Sequence, residues 1–157
     1  MANKKPLVIG SNGTVEQLQA GDIIDVGAAK QVFTATNNNA GAVTIGQPVY
    51  VDGAGTVDLA QASTSTAAKV IGLVNDASVA SAGSGVIITD GVLTSSDWTA
   101  VIGATDLTAG SVYFLDGATA GKLTTTPVTV TGNTLIRVGT ALSTTEFEIS
   151  IGEPIKL

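Results

Sequence analysis

The stretch Gly46-Gln47-Pro48-Val49-Tyr50-Val51-Asp52-Gly53 returns later in the chain as Gly110-Ser111-Val112-Tyr113-Phe114-Leu115-Asp116-Gly117. Each copy is a short apolar and aromatic run that stops at Asp-Gly, a dipeptide that tolerates positive φ and so suits a tight hairpin turn. On this reading Gly53 and Gly117 take positive φ in matching turns, and Tyr50 matches Tyr113 at a spacing of 63 residues. Downstream of each turn come a second strand, a Thr/Ser-rich loop and an apolar strand with an internal glycine, Val70-Ile71-Gly72-Leu73 against Arg137-Val138-Gly139-Thr140-Ala141. These glycines stand 67 residues apart, and a last β-branched strand follows each. Two copies of one hairpin unit, at about 46–91 and 110–152, are expected to complete a single compact β-barrel or β-sandwich, because neither half buries both of its faces alone.

The flanking sequence keeps the same rhythm of four to eight alternating or apolar residues between turn signals, the pattern of an all-β domain. Asn12-Gly13 and Asp90-Gly91 are read as further chain reversals. Strands are expected at Pro6–Ile9, Ile23–Val26, Gln31–Thr36, Pro48–Asp52, Val57–Ala60, Val70–Val74, Gly85–Thr89, Ser111–Leu115, Lys122–Thr125, Thr134–Ala141 and Glu146–Ile151. Ala62–Ala68, small and polar, is read as an exposed loop. Within Thr94–Ala109 a single helical turn is expected around Asp97 and Trp98, capped by Ser95 or Ser96. At 157 residues one domain suffices, divided here into an N-terminal arm at 1–20 and a β-domain at 21–157.

Composition excludes much chemistry. The chain has neither His nor Cys, so a Ser-His-Asp triad, a Cys nucleophile, a His or Cys zinc site and a disulfide are all ruled out. No cofactor or metal site is expected, although calcium held between loops stays open. Net charge is -6 with the 7 basic residues scattered, so nucleic acid and anionic membranes are not expected partners. Neither a secretory leader nor an apolar run of membrane-spanning length is visible. Glu146 and Glu148 share one face of a strand and are read as solvated. With 44% hydrophobic and 13% charged residues, some apolar surface is expected to be buried between subunits. Trp98, the single tryptophan, is read as a core or subunit-interface anchor, with a ligand contact as the alternative.

The run Leu107 to Asp116, then Ala120 to Thr124, Ile136 to Ser143 and Glu146 to Ile149, resembles a module of virion proteins of tailed bacteriophages, found in capsid-decoration and tail-fibre proteins. The start, Lys5-Pro6-Leu7-Val8 followed by Glu16 to Asp22, is similar to an entry segment of such proteins. The resemblance implies a non-enzymatic capsid decoration (cement) protein, made in the host cytoplasm, that binds the outer surface of the assembled head and stabilises it. Its implied partners are the major capsid protein and copies of itself, as a homotrimer. A tail-fibre or baseplate adaptor is the alternative reading, and a carbohydrate-binding module a second one.

The arm is the expected capsid contact. Residues 1–20 hold Lys4, Lys5 and Glu16, a charge of +1, against -7 for the remainder. Pro6 keeps its neighbours out of a central strand, so Leu7, Val8 and Ile9 are expected to pair with an edge supplied from outside.

Overall fold

The computed structural model describes residues 7–9, 15–17 and 30–157. The expected strand Ile23–Val26, the Asn12-Gly13 turn, and Lys4 and Lys5 lie outside the described residues. The fold is all-β with one helical turn. Its strands are β1 (Leu7–Ile9), β2 (Val15–Gln17), β3 (Gln31–Asn37), β4 (Val43–Thr44), β5 (Pro48–Gly53), β6 (Thr56–Leu59), β7 (Val70–Val74), β8 (Ser78–Val79) and β9 (Ser84–Thr94). After α1 (Thr99–Ile102) follow β10 (Val112–Leu115), β11 (Leu123–Thr124), β12 (Thr134–Leu135), β13 (Arg137–Ala141), β14 (Glu146–Ile149) and β15 (Ile155–Lys156).

Five strands close into a barrel in the order β9-β3-β6-β5-β7 and back to β9, all pairs antiparallel except β3 with β6. From the other half of β9 the sheet continues through β14 and β13 to β10 and β11. The pairing scheme of the first unit therefore recurs: β5 lies between β6 and β7 as β10 lies between β11 and β13. Loop bonds recur with it. Gly46 N donates to Val74 O (2.9 Å) and Gly110 N to Ala141 O (2.8 Å); Val74 N donates to Gln47 O and Ala141 N to Ser111 O, both at 3.0 Å. Gly46 and Gly110 both have positive φ, 83° and 78°.

The repeat extends further than the sequence reading took it. Phe33 opposes Ile87 as Leu93 opposes Phe147, so β3 of the first unit corresponds to the second half of β9. Strand β9 is shared: its first half closes one unit and its second half opens the next. The repeat also runs in a different register from the tyrosine match. Val49 opposes Gly72 and Tyr113 opposes Gly139, which makes Val49 the counterpart of Tyr113 and Tyr50 the counterpart of Phe114. A one-residue slip exchanges faces, and the burial agrees with the structural register: Val49 and Tyr113 are buried, Tyr50 and Phe114 half-buried.

Other expectations need correction. Gly53 and Gly117 do not take positive φ; Gly55 and Gly121 do, at 76° and 74°. The two loop residues of the first hairpin are Ala54 and Gly55, because a register shift between Val51 and Gly53 carries β5 past Asp52. Asp90-Gly91 is no reversal. It sits inside β9, where the register with β3 shifts, and Gly91 (φ 103°) marks the change of partner from β3 to β14. Thr134–Ala141 is two strands broken at Ile136, whose carbonyl accepts Leu115 N at 3.0 Å. Ala62 and Ala68, the ends of the expected exposed loop, are buried; only Thr64–Thr66 face solvent.

Core composition follows from closure. A five-stranded barrel has a narrow interior, and the first unit fills it with Ala35, Val43, Val49, Val57, Val74, Val79 and Ile87. In the second unit no described pairing joins β9 to β11, and the wider interior takes aromatics: Tyr113 at the position of Val49 and Phe147 at that of Ile87. Trp98 packs 5.8 Å from Phe147, and Phe147 meets Tyr113 edge-on at 5.8 Å. Gly72 and Gly139 answer to a different constraint. A Cβ at either would overlap the facing carbonyl, Ile88 O or Glu148 O, so the strands approach too closely there for any side chain.

Candidate functional site

The residues singled out from the sequence are not brought together. Leu7, Val8 and Ile9 form β1, paired with Gln17, Glu16 and Val15 of β2 and with no other described strand. One edge of β1 is thus taken up within the chain. Gly53 and Gly117 lie at equivalent hairpin ends, where space rather than backbone angle favours glycine: a Cβ at Gly53 would stand 2.8 Å from Thr56 Oγ1, and one at Gly117 2.7 Å from Asn133 Nδ2. Trp98 is 0% exposed within one chain. It is a core residue, and both the interface-anchor and ligand-contact readings are corrected, because no surface of it remains to offer. Glu146 and Glu148 point outward from β14 while Phe147 and Ile149 point inward, as alternation requires.

Helix α1 is capped differently from expectation. Trp98 occupies the N-cap position, and Asp97 Oδ1 accepts Thr99 N at 2.8 Å. These bonds from Thr99 hold the Asp97 carboxyl below its ordinary value. Ser95 instead braces the approach: its Oγ donates to Asp97 O (2.8 Å) and accepts from Asp97 N (3.2 Å). The turn copies one in the first unit, where Asn37 Oδ1 accepts Asn39 N at 2.9 Å. Asn37 is buried, and its Nδ2 donates to the carbonyls of Gly41, Val79 and Ala80. The sequence reading missed this residue. Its signal was Val32-Phe33-Thr34-Ala35-Thr36-Asn37 beside Val92-Leu93-Thr94-Ser95-Ser96-Asp97, 60 residues on.

Polar side chains brace the first hairpin. Asp52 accepts from Asn38 Nδ2 (2.5 Å) and Thr56 Oγ1 (2.7 Å), and Asp58 from Asn39 Nδ2 (2.8 Å). At Asp52 burial pushes the carboxyl up, but the bonds from Asn38 and Thr56 outweigh it and hold the group below its ordinary value. The half-buried Tyr50 is raised, by burial first and then by the Asp58 and Asp52 charges. Among the described residues no three acidic side chains gather into a group that could hold a metal ion.

A groove of about 540 Å³ runs between the Asp116–Ala118 turn and the strip Thr126–Val130, with Asn133 at its end. Every residue from Thr125 to Asn133 is uncharged, and Val130, Ile155 and Leu157 are among the six exposed large hydrophobic residues. Gly132 N donates to Leu157 O and Leu157 N to Asn133 O, both at 3.0 Å, so the strip and the final residues form one surface. The strip offers apolar and uncharged side chains to solvent, with no charged group between Thr125 and Asn133.

Comparison of the chain with protein-family models, curated proteins and solved structures returns no match.

Proposed function

We propose that this chain is a non-enzymatic virion structural protein of a tailed bacteriophage, a decoration protein that binds the outside of the assembled head and self-associates there as a homotrimer. The observation that carries the reading is where the resemblance falls. Its C-terminal blocks, Leu107–Asp116, Ala120–Thr124, Ile136–Ser143 and Glu146–Ile149, contain β10, β11, β13 and β14 whole, so the similarity covers one folding unit. Scattered turn similarity has no reason to respect such a boundary. The N-terminal block adds Leu7 and Val8 of β1, a strand that pairs with β2 and with no other described strand. Self-association is supported by Val32, Val51, Val130, Leu142, Ile155 and Leu157, large apolar side chains left exposed on a single chain.

Heads assembled without this protein provide the test. Incubated with labelled protein and viewed by electron microscopy, they are expected to carry many copies over the shell; label on the tail alone, or none, overturns the reading. Deletion of residues 2–10 is expected to leave the melting temperature nearly unchanged and to weaken head binding at least tenfold, roughly 1.4 kcal/mol per site. Equal decoration by the truncated protein would refute the role of the arm.

A further inference from the structure

The two units meet through an extended segment as well as through β9. Leaving β6, residues Ala60–Ala62 run along the hairpin end of the second unit: Gly121 N donates to Ala60 O (2.8 Å), Ala62 N to Asp116 O (2.9 Å) and Thr134 N to Ala62 O (2.8 Å). Gln61 Nε2 adds a bond to Gly117 O at 3.2 Å. The units are closely packed beside the strip, since a Cβ at Gly121 would stand 2.9 Å from both Leu59 and Gln47.

The repeat places a second such strip in the chain. Within the segment that leaves β11, Thr125–Val130, residues Thr126–Val128 are the counterparts of Ala60–Ala62, and the hairpin end Asp52–Gly55 is the counterpart of Asp116–Gly121. Within one chain these two counterparts have no described contact with each other. Thr125, Thr126, Pro127, Thr129 and Val130 are exposed, and so is every residue from Val51 to Gly55. Val130 is 63% exposed and Val51 49%.

We infer that the Thr125–Val130 strip of one copy docks on the Asp52–Gly55 hairpin end of the next, repeating between chains the contact that joins the two units within a chain. Three observations favour a second copy as the occupant. The chain already makes this kind of contact once, with its own counterpart residues. The strip is uncharged, so a molecule of net charge -6 meets itself there without setting like charges together on that side. An exposed valine lies beside each end of the contact, Val51 next to Asp52 and Val130 two residues beyond Val128, the counterpart of Ala62, and burying the pair removes apolar surface from water on both copies. The hairpin end at Asp52 is shorter than that at Asp116, and Gly55 O already accepts Thr36 N at 2.9 Å, so the new contact leans on the valines more than its precedent does. Such an interface is heterologous, head to tail, and closes into a ring only if the rotation per copy permits. Closure at three copies would set six units in a ring.

The inference rests on the self-association proposed above and has a test that separates the two. The chain contains no cysteine, so Val51→Cys and Val130→Cys each introduce a single thiol. Mixed in equal amounts and treated with a short bismaleimide, the two variants are expected to yield a linked dimer, and either variant alone is not. An unaltered chain that sediments as a monomer at tens of micromolar overturns self-association and this interface together. An oligomer in which each variant links only to itself, or in which no linkage forms, leaves self-association standing and overturns the head-to-tail contact. As a second readout, Val130→Asp is expected to raise the dissociation constant of the oligomer at least tenfold with an unchanged circular dichroism spectrum. Unaltered association would refute a docked Val130.

Discussion

Replacing Trp98 tests whether the second unit depends on an aromatic filling. The side chain is 0% exposed and packs on Phe147 at 5.8 Å. An aromatic side chain of this kind buries on the order of 200 Å², and Trp→Ala in a core costs about 3–5 kcal/mol in transfer and cavity terms. One feature pulls the other way. Nε1 of Trp98 is buried with no hydrogen-bond partner among the described residues, a standing cost of roughly 1–3 kcal/mol that any replacement lacking the N–H removes. With the relief at the low end of that range, about 1 kcal/mol, Trp98→Ala loses the filling and is destabilised by about 2–4 kcal/mol net. Trp98→Phe keeps most of the filling and gains the same relief, so its net cost falls below about 1 kcal/mol. At a few degrees per kcal/mol for a chain of this length, the alanine variant is expected to melt roughly 5–15 °C lower and the phenylalanine variant within about 4 °C of the parent. Urea unfolding followed by far-ultraviolet circular dichroism suits both, because the single tryptophan is itself removed. A cost above about 1 kcal/mol for Trp98→Phe would refute the argument from the unpaired Nε1, and a loss under about 1 kcal/mol for Trp98→Ala would refute the filled second unit.

Gly55→Val is expected to cost about 1–2 kcal/mol through backbone strain alone, since φ is 76° and a Cβ there meets nothing within 4 Å, whereas Gly53→Val costs less than that; the reverse order in urea would sink the corrected turn assignment. The Asp52 carboxyl titrates below its ordinary value, so its bonds to Asn38 and Thr56 contribute stability above the unfolded pKa that is lost as pH falls through the folded one. The stability gap between the parent and Asp52→Ala is accordingly expected to shrink on acidification from pH 6 toward 3, and a gap that holds constant would refute it. Chelator is expected to shift the melting temperature by less than about 5 °C, and a larger fall would reveal a bound divalent cation.

Much of this fold could be read from local grammar. Val70–Val74 was placed to the residue, and Pro48–Asp52 and Val57–Ala60 to within one, because β-branched runs between Asp-Gly and Thr/Ser signals have few other uses. What escaped the reading depended on partners distant in sequence. Asp-Gly serves a hairpin at Asp116 and a bulge at Asp90, and only the strands on either side of β9 decide between them. Gly53 and Gly55 stand two residues apart in one turn, and the register shift beside Val51 chooses which takes positive φ. The short strands β4, β8 and β15 are two residues each and exist only through their pairing. Of the candidate contacts, Trp98 was legible as an anchor but its place was not, because an isolated tryptophan suits a core and an interface equally. The uncharged strip at Thr125–Val130 carries no signal of its own in the sequence. Its meaning depends on the counterpart strip Ala60–Ala62, seen docked.

One exchange between the repeats accounts for why the first unit closes and the second does not. In the first, β3 runs on to Asn37, pairs in parallel with Val57, and Asn38 then turns outward to donate to Asp52, so a strand seals the seam. At the matching point of the second unit stands Trp98. An indole of that size cannot stay in water on a strand edge without exposing a large apolar surface, and its burial draws the chain inward, so that the Asp97–Thr99 turn, shared with the first unit at Asn37–Asn39, here leads into α1. Strand β9 has already ended, at Thr94. Lys122 reaches across from the β11 side to Thr99 O at 3.1 Å, so the seam that β3 seals with a strand is here bridged by a helical turn and a side chain. The ring then occupies space that the first unit reserves for its own backbone. Gly46 confirms the fit from the other side: a Cβ there would stand 2.7 Å from the Trp98 ring, so the loop of the closed unit is cut back to admit the tryptophan of the open one.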